Sequence, residues 1–158
     1  MNVELRRVSS EDYDALGTLF TDSSTHPFII DNGPLSADAI LERLDRMQDR
    51  SLGANSHYWS IIADDRPVGY VALHNTGDDL PAISYAVLPA QRRRGIARKA
   101  LRELFETART AYGKTGIWAT THLDNQASSA LLIDIGFRQG QDVETPQGTR
   151  RSFSYTLE

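Results

Sequence analysis

The sequence contains no cysteine in its 158 residues. The chain therefore has no disulfide framework, no iron–sulfur cluster, no thiolate zinc site and no cysteine nucleophile. Any chemistry must come from hydroxyl, imidazole, carboxylate, amine and guanidinium side chains or from the main chain. We expect no bound metal.

Excess positive charge and long apolar runs are also missing. The 17 Lys and Arg residues are outnumbered by 21 Asp and Glu residues, which gives a net charge of −4. An acidic chain has little general affinity for nucleic acid or an anionic membrane. No run approaches the ~18 consecutive apolar residues of a membrane helix, and the N-terminus lacks the apolar stretch of a signal peptide. The sequence therefore predicts a cytoplasmic protein with no nucleic-acid partner and no membrane association.

The composition is otherwise that of a globular protein, with 40% hydrophobic and 24% charged residues. A length close to the ~150 residues of a typical domain predicts one domain over residues 1–158. The apolar periodicity predicts the order β-α-α-β-β-β-α-β-α-β-β, a mixed α/β (α+β) fold around a largely antiparallel sheet. Residues 22–34 are rich in turn-forming residues and are predicted to be a loop with a turn at residues 32–34. The second helix is predicted from Ser36 to about Arg50.

The most informative segment joins a strand that ends at Pro89 to the longest amphipathic helix of the sequence. The first turn of a helix has unpaired N–H groups and the positive end of the helix dipole, so a glycine turn there suits a phosphate or pyrophosphate. The residues predicted to form this polyanion site are Arg92, Arg93, Arg94, Gly95, Ile96, Ala97 and Arg98. A triple arginine is also compatible with a solvated turn, or with a nucleic-acid patch, although aromatic residues do not interleave it.

Two motifs resemble one known family. Arg92-x-x-Gly95-x-Ala97 is similar to the Gln/Arg-x-x-Gly-x-Gly/Ala signature of the GCN-related N-acetyltransferase (GNAT) superfamily. Residues 125–137 resemble that family's Asn-x-x-Ser-x-x-Leu-Leu-x-x-x-Gly-Phe segment. The order and spacing of the two motifs agree with the family. Leu131-Leu132 and the opening residues 3–7 look most like the branch of ribosomal-protein-alanine acetyltransferases (RimJ/RimL type).

The resemblance implies a fold, a cosubstrate and roles for individual residues. It implies a sheet of about six to seven strands flanked by about four helices. It also implies acetyl-CoA as the acetyl donor, with its pyrophosphate held by the main chain of the basic loop. The N–H of Val87 would polarise the thioester carbonyl and Leu88 would pair along the pantetheine arm. Asn125 and Ser128 would lie near CoA. His26 and Phe28 would line the acceptor site, and a homodimer through the C-terminal strands is expected.

The chain departs from the family where proton transfer is concerned. Many relatives have Glu-Ile-Gly-Tyr where this chain has Ala82-Ile83-Ser84-Tyr85, and Leu132 stands where other branches have a tyrosine. Neither familiar acid–base residue can be carried over. The remaining candidates are Tyr85, Ser84, His74 and His122. His122 follows a strand near the expected entry of acetyl-CoA, or it caps the loop that follows. His74 is alternatively a surface or hydrogen-bonded structural histidine.

The missing carboxylate bears on the acceptor. An α-amine with a pKa of ~7.7–8.0 is about one tenth neutral at pH 7, whereas a lysine amine with a pKa of ~10.4 is neutral in about one molecule in 2,500. The sequence therefore predicts direct acetyl transfer from acetyl-CoA to a primary amine of a peptide N-terminus or a small molecule. The alternative, motivated by Ala82 and Leu132, is a non-catalytic acyl-CoA-binding regulatory or interaction module.

Overall fold

The computed structural model describes residues 1–29, 35–49 and 55–158. Eight strands form one sheet in the order β1-β2-β3-β4-β5-β8-β6, and β7 pairs with β8. Neighbouring strands run antiparallel except for the parallel pair β4 and β5. The strands are β1 Val3–Arg7, β2 Ser56–Ala63, β3 Arg66–His74, β4 Ala82–Val87, β5 Gly116–His122, β6 Arg138–Gln139, β7 Val143–Thr145 and β8 Gly148–Thr156.

Within the described residues, five α-helices accompany the sheet, namely α1 Tyr13–Leu19, α2 His26–Ile29, α3 Ala37–Gln48, α4 Ile96–Thr110 and α5 Gln126–Asp134. Helix α3 begins where its sequence predicts, because Ser36 Oγ accepts a hydrogen bond from the N–H of Ala39 at 3.2 Å. Helix α4 buries one face, as its apolar spacing predicts. In the described part of the chain, no helix combines the length and apolar character needed to cross a membrane.

The sheet lies between two layers of helices. On one face, α4 and α5 pack through residues such as Leu101, Leu104 and Leu132. On the other face, α1 and α3 pack through Leu16 and Leu44. This mixed, mostly antiparallel α/β architecture confirms the fold class predicted from the sequence.

The sheet has more strands, and the chain more helices, than the predicted six to seven strands and about four helices. Residues 143–145 add a strand, because the predicted polar connection before β8 folds back on it as a hairpin around Pro146 and Gln147. Helix α2 is a single turn within the predicted loop 22–34, and a four-residue helix is too short to show apolar periodicity. The turn predicted at residues 32–34 and the helix end predicted at Arg50 lie outside the described residues.

Strands β4 and β5 part soon after they meet. Ala82 and Trp118 are their one registered pair, supported by a hydrogen bond from Trp118 N to Pro81 O at 3.0 Å. Further along β4, Leu88 N donates to Val68 O on the β3 side at 2.8 Å. Main-chain direction alternates along a strand, so the N–H of Val87 points the other way, towards β5. We call the space that it faces the gap between β4 and β5.

The close approach of β3 to β4 requires a glycine at position 69. A Cβ built on Gly69 would lie 2.2 Å from the carbonyl oxygen of Ala86. We expect Gly69→Ala to lower the free energy of unfolding by roughly 1–3 kcal/mol through overpacking, measured by urea denaturation. Gly77→Ala is the matched control, because its Cβ would meet nothing closer than 3.7 Å. Equal stability of the two variants would show that β3 and β4 can move apart freely.

Candidate functional site

The loop before α4 presents main-chain N–H groups, as the sequence predicts. Gly95 caps the helix in the left-handed conformation with φ +77°, and Arg93 has φ +62°. The hydrogen bond from Lys99 N to Gly95 O, at 3.2 Å, closes the first turn. The N–H groups of residues 96–98 therefore have no acceptor within the helix. A Cβ at Gly95 would meet nothing within 4 Å, so the space beside these donors is open.

The four arginines predicted for this site lie in different surroundings. Arg98 forms an ion pair with Asp134 of α5, and Arg94 donates to Gln91 Oε1. Arg93 is exposed, and no polar partner is recorded for it in the parts of the chain that the structure describes. Arg92 donates hydrogen bonds to Val87, Ser24 and Thr25. Of the four, Arg93 therefore has the guanidinium most available to an anion.

Arg92 connects the end of β4 to the turn that follows α1. Its Nε donates to Val87 O at 3.2 Å, its Nη1 to Ser24 Oγ at 3.0 Å and its Nη2 to Thr25 Oγ1 at 2.5 Å. Asp22 Oδ2 in turn accepts from the hydroxyls of Ser24 and Thr25, at 2.5 and 2.7 Å. These hydroxyl hydrogen bonds, with a smaller contribution from the charge of Arg92, hold the pKa of Asp22 below its usual 3.8. We call residues 22–25 with this network the 22–25 turn.

The 22–25 turn leads directly into the predicted acceptor residues. Phe28 N donates to Thr25 O at 3.0 Å, and the ring centroid of Phe28 lies 5.5 Å from that of His122 at the end of β5. The structure thus brings a predicted acceptor residue against a predicted catalytic residue across the mouth of the gap. His26 is the first residue of α2, and its side chain lies outside what the structure describes.

The imidazole of His122 also has a local contact. Its Nδ1 accepts from Asp124 N at 3.2 Å, the loop-capping contact that the sequence offers as an alternative role. His122 therefore contacts the loop that follows β5 through Nδ1, while its ring packs against Phe28.

Tyr85 and the start of α5 meet on the face covered by α4 and α5. Tyr85 Oη lies 2.5 Å from Ser128 Oγ. Asn125 caps α5, because its Oδ1 accepts from Ser128 N at 3.2 Å, and this fixes Ser128 in place. Burial raises the pKa of Tyr85 above its usual 10.0. The phenol therefore stays protonated at neutral pH and can act as a proton donor.

Leu88 has a different main-chain environment from that of Val87. Its N–H donates to Val68 O on the β3 side, and its carbonyl oxygen accepts from Gln91 N in the turn that follows β4. Val87 presents its N–H to the gap, and Arg92 Nε binds its carbonyl oxygen. Of these two predicted main-chain contacts, the structure therefore directs only that of Val87 into the gap.

The opposite face of β4 carries a second polar pair. Ser84 Oγ lies 2.8 Å from Nε2 of His74, whose Nδ1 lies 3.0 Å from Ser56 Oγ. The sequence places His74 and Ser84 among the candidates without showing that they touch. Strand alternation alone would have predicted a common face of the sheet for His74 and Ser84. Their contact also requires the register between β3 and β4, which depends on the length of the connection between these strands.

Comparison with known families defines the class of protein that this arrangement belongs to. Residues 2–138 match the family model described as an acetyltransferase (GNAT) domain. The match covers well over half of the chain, and the chain therefore belongs to the GNAT family of acetyltransferases. The family uses acetyl-CoA as acetyl donor. No curated protein matches the sequence.

Solved structures share the fold at low sequence identity. A GNAT-family acetyltransferase from Bacillus anthracis has a TM-score of 0.85 at 16% identity, over 99% of this chain and 96% of that one. The Salmonella typhimurium acetyl transferase that modifies the N-terminal serine of 50S ribosomal subunit protein L7/L12 has a TM-score of 0.85 at 14% identity, over 100% and 96%. Spermidine N-acetyltransferase from Vibrio cholerae, in complex with CoA and spermine, has a TM-score of 0.82 at 15% identity, over 98% and 95%.

The network around Arg92 predicts a local effect of substitution. Hydrogen bonds to a charged group contribute about 1.5–3 kcal/mol, so Arg92→Met should make local opening of the 22–25 turn roughly ten to a hundred times more frequent. We expect faster deuterium exchange of the Thr25 and Phe28 amides, measured by NMR. Arg93→Met, at an exposed neighbouring position, should leave both rates unchanged. Equal rates in wild type and Arg92→Met would contradict the role given to these hydrogen bonds.

Proposed function

We propose that residues 1–158 form one domain that transfers acetyl from acetyl-CoA to the α-amine of a peptide, or to a small-molecule amine of similarly low pKa, by direct attack. The observation that carries this proposal is the gap between β4 and β5, into which the N–H of Val87 points. The family match supplies the class of reaction. The polar groups of the site suggest the role of each residue in that reaction.

The residues at the start of α4 fit a pyrophosphate. The N–H groups of residues 96–98 lack acceptors in the helix, and the space beside Gly95 is open. In our proposal these N–H groups and the exposed guanidinium of Arg93 hold the phosphates. Arg92 contributes by positioning the main chain, because its side chain is engaged with Ser24 and Thr25.

The two sides of the reaction need different groups. The N–H of Val87 donates to the carbonyl oxygen that becomes negative as the amine attacks. The leaving thiolate needs a proton, and the hydroxyl pair of Tyr85 and Ser128 can supply one, because both hydroxyls are protonated at neutral pH. Phe28 and His122, at the mouth of the gap, provide a wall against which the acceptor packs.

An α-amine is the acceptor whose deprotonation requires the least free energy from this site. The pKa difference of about 2.5 units from a lysine amine corresponds to about 3.4 kcal/mol that the enzyme does not have to supply. With Ala82 in place of a carboxylate, such an acceptor suits the site better than a lysine side chain. The acetylation of a ribosomal-protein N-terminal serine by one structural neighbour is in keeping with this choice.

The direct test is thiol release from acetyl-CoA with a panel of amines. The panel contains peptides that begin with Ala or Ser, the same peptides with a blocked N-terminus and a free lysine, polyamines, aminoglycosides and amino acids. Because the chain has no cysteine, the protein gives no background in a thiol assay. We expect faster release with free α-amines than with lysine amines. Binding of acetyl-CoA without turnover of any amine would instead favour the non-catalytic binding module.

The proposed phosphate site predicts the effect of one glycine substitution. Gly95→Glu places bulk and negative charge beside the N–H groups, and like charges at a binding interface cost several kcal/mol, so acetyl-CoA should bind roughly a hundredfold or more weakly. Calorimetry measures the affinity. Gly113→Glu is the matched control, because Gly113 also has a positive φ of +64° and open space around its Cβ. Unchanged affinity in the Gly95 variant would remove the proposed phosphate site.

A further inference from the structure

The cluster around His74 lies on the face of the sheet that α1 and α3 cover, and the steps above do not use it. His74 ends β3, and its two ring nitrogens contact hydroxyls on both neighbouring strands. Nδ1 lies 3.0 Å from Ser56 Oγ of β2, and Nε2 lies 2.8 Å from Ser84 Oγ of β4. The imidazole is therefore held in one orientation by two hydrogen bonds.

Ser84 lies on the side from which the acceptor is proposed to approach. It shares its face of the strand with Ala86, which packs in the same apolar cluster as Ile29 of α2. It precedes Val87 by three residues, about 10 Å at ~3.3 Å per residue. A Ser84 hydroxyl can connect to an amine that attacks at Val87 through a chain of ordered waters, because a single water spans only two hydrogen bonds.

The residue directly opposite His74 is Ala82. Ala82 is the position at which the resemblance led us to expect a carboxylate. Its methyl group leaves room for the imidazole to reach diagonally across to Ser84, a distance that long side chains span between paired strands. Strand β3 thus places the titratable imidazole of His74 next to Ala82, the position at which β4 lacks a carboxylate.

We propose that Ser84 and His74 form the proton relay that deprotonates the attacking amine. This inference rests on the proposed function. As the new N–C bond forms, the amine proton passes along the waters to Ser84 Oγ, and the proton of Ser84 passes to Nε2 of His74. The C–S bond breaks, and the thiolate takes a proton from the pair of Tyr85 and Ser128. The imidazolium then returns its proton to solvent, and the pair of Tyr85 and Ser128 takes one up from solvent. Ser84 contacts the substrate side, and His74 is the positioning residue behind it.

The surroundings of His74 favour its neutral form at rest. Burial lowers the pKa of His74 below its usual 6.5, so the imidazole can accept a proton at neutral pH. Burial also raises the pKa of the two phenols beside it, Tyr58 and Tyr70, which therefore stay uncharged. The positively charged groups that act on these phenols are guanidiniums of α3, whereas burial alone accounts for the lowered pKa of His74. The groups that face the cluster are Ser56 and Tyr58 of β2, Tyr70 of β3, Ser84 of β4, and Arg43 and Arg46 of α3.

The experiment compares Ser84→Ala, His74→Gln and the double variant with the wild type, using the fastest α-amine acceptor. General acid–base assistance contributes about 10²–10⁴-fold, so each single variant should lose roughly a hundredfold or more in kcat. Acetyl-CoA affinity, measured by calorimetry, should not change. The double variant should lose no more than the worse single variant, because the two residues act as one unit. His57→Gln is the control, because the His57 ring lies on the other face, 5.0 Å from that of Tyr112.

The pH profile separates a relay from a merely structural contact. Below the pKa of His74, two groups must lose protons before wild-type protein reacts, namely the amine and the imidazole. The logarithm of kcat/KM should therefore rise with a slope of about 2 in wild type and about 1 in His74→Gln. The relay is overturned if the slope is the same in wild type and His74→Gln. It is also overturned if Ser84→Ala, which removes a single oxygen, keeps full kcat, or if the kcat losses of the two single variants multiply in the double variant.

The relay also requires one tautomer of His74. Nε2 must be free to accept, so the proton must sit on Nδ1 and point to Ser56 Oγ. Long-range 1H–15N NMR spectra identify the protonated nitrogen in each of the four histidines. A proton on Nε2 overturns the relay whatever the kinetics show.

The same experiments distinguish failure of the proposed function from failure of the relay. Wild-type protein that acetylates no amine removes the proposed function and the relay together. Active wild type with fully active Ser84→Ala removes the relay alone.

Discussion

The short contact between β4 and β5 is the constraint on which the rest of the site depends. Parallel strands normally satisfy each other's main-chain groups along their whole length. Here registered pairing is confined to Ala82 and Trp118, so the N–H of Val87 faces the gap instead of a neighbouring strand. An unpaired buried donor costs about 1–3 kcal/mol, and a ligand with acceptors spaced like a strand recovers that free energy on binding. The gap is therefore suited to an extended molecule that carries amide or carbonyl oxygens.

The end of β4 also links the donor side of the site to the acceptor side. Val87 directs its N–H into the gap, while its carbonyl oxygen accepts from Arg92, which also binds Ser24 and Thr25. A guanidinium has five donors in a fixed plane, so one side chain can hold the strand end and the turn at a set separation. Helix α2 follows that turn directly. The position of Phe28 relative to Val87 is consequently set by a residue of the predicted phosphate loop.

Features that depend on neighbouring residues in the chain were predictable from the sequence. The glycine turn at Gly95 was recognisable from its place before an apolar repeat, and Gly95 caps the start of α4 in the structure. Features that depend on distant contacts were not. Charge and the motif placed Arg92 among the phosphate-site residues, and nothing in the local sequence reveals that Ser24 and Thr25 lie beside it. Helix α2 and strand β7 were not predicted, because elements of three or four residues are too short to show apolar periodicity.

Alternation along β4 offers a physical answer to the missing carboxylate. Direct transfer removes a proton from the amine and supplies one to the thiolate. Tyr85 packs with the α4 and α5 layer, while Ser84 faces the opposite layer with His74. In the proposed mechanism, consecutive residues of this strand place a proton donor and a proton acceptor on opposite faces, with the N–H of Val87 between the layers. Burial raises the pKa of Tyr85 and lowers the pKa of His74, because it disfavours the charged form of each group. The phenol therefore stays protonated and the imidazole stays neutral. A strand organised in this way needs no acidic side chain to separate the two proton transfers.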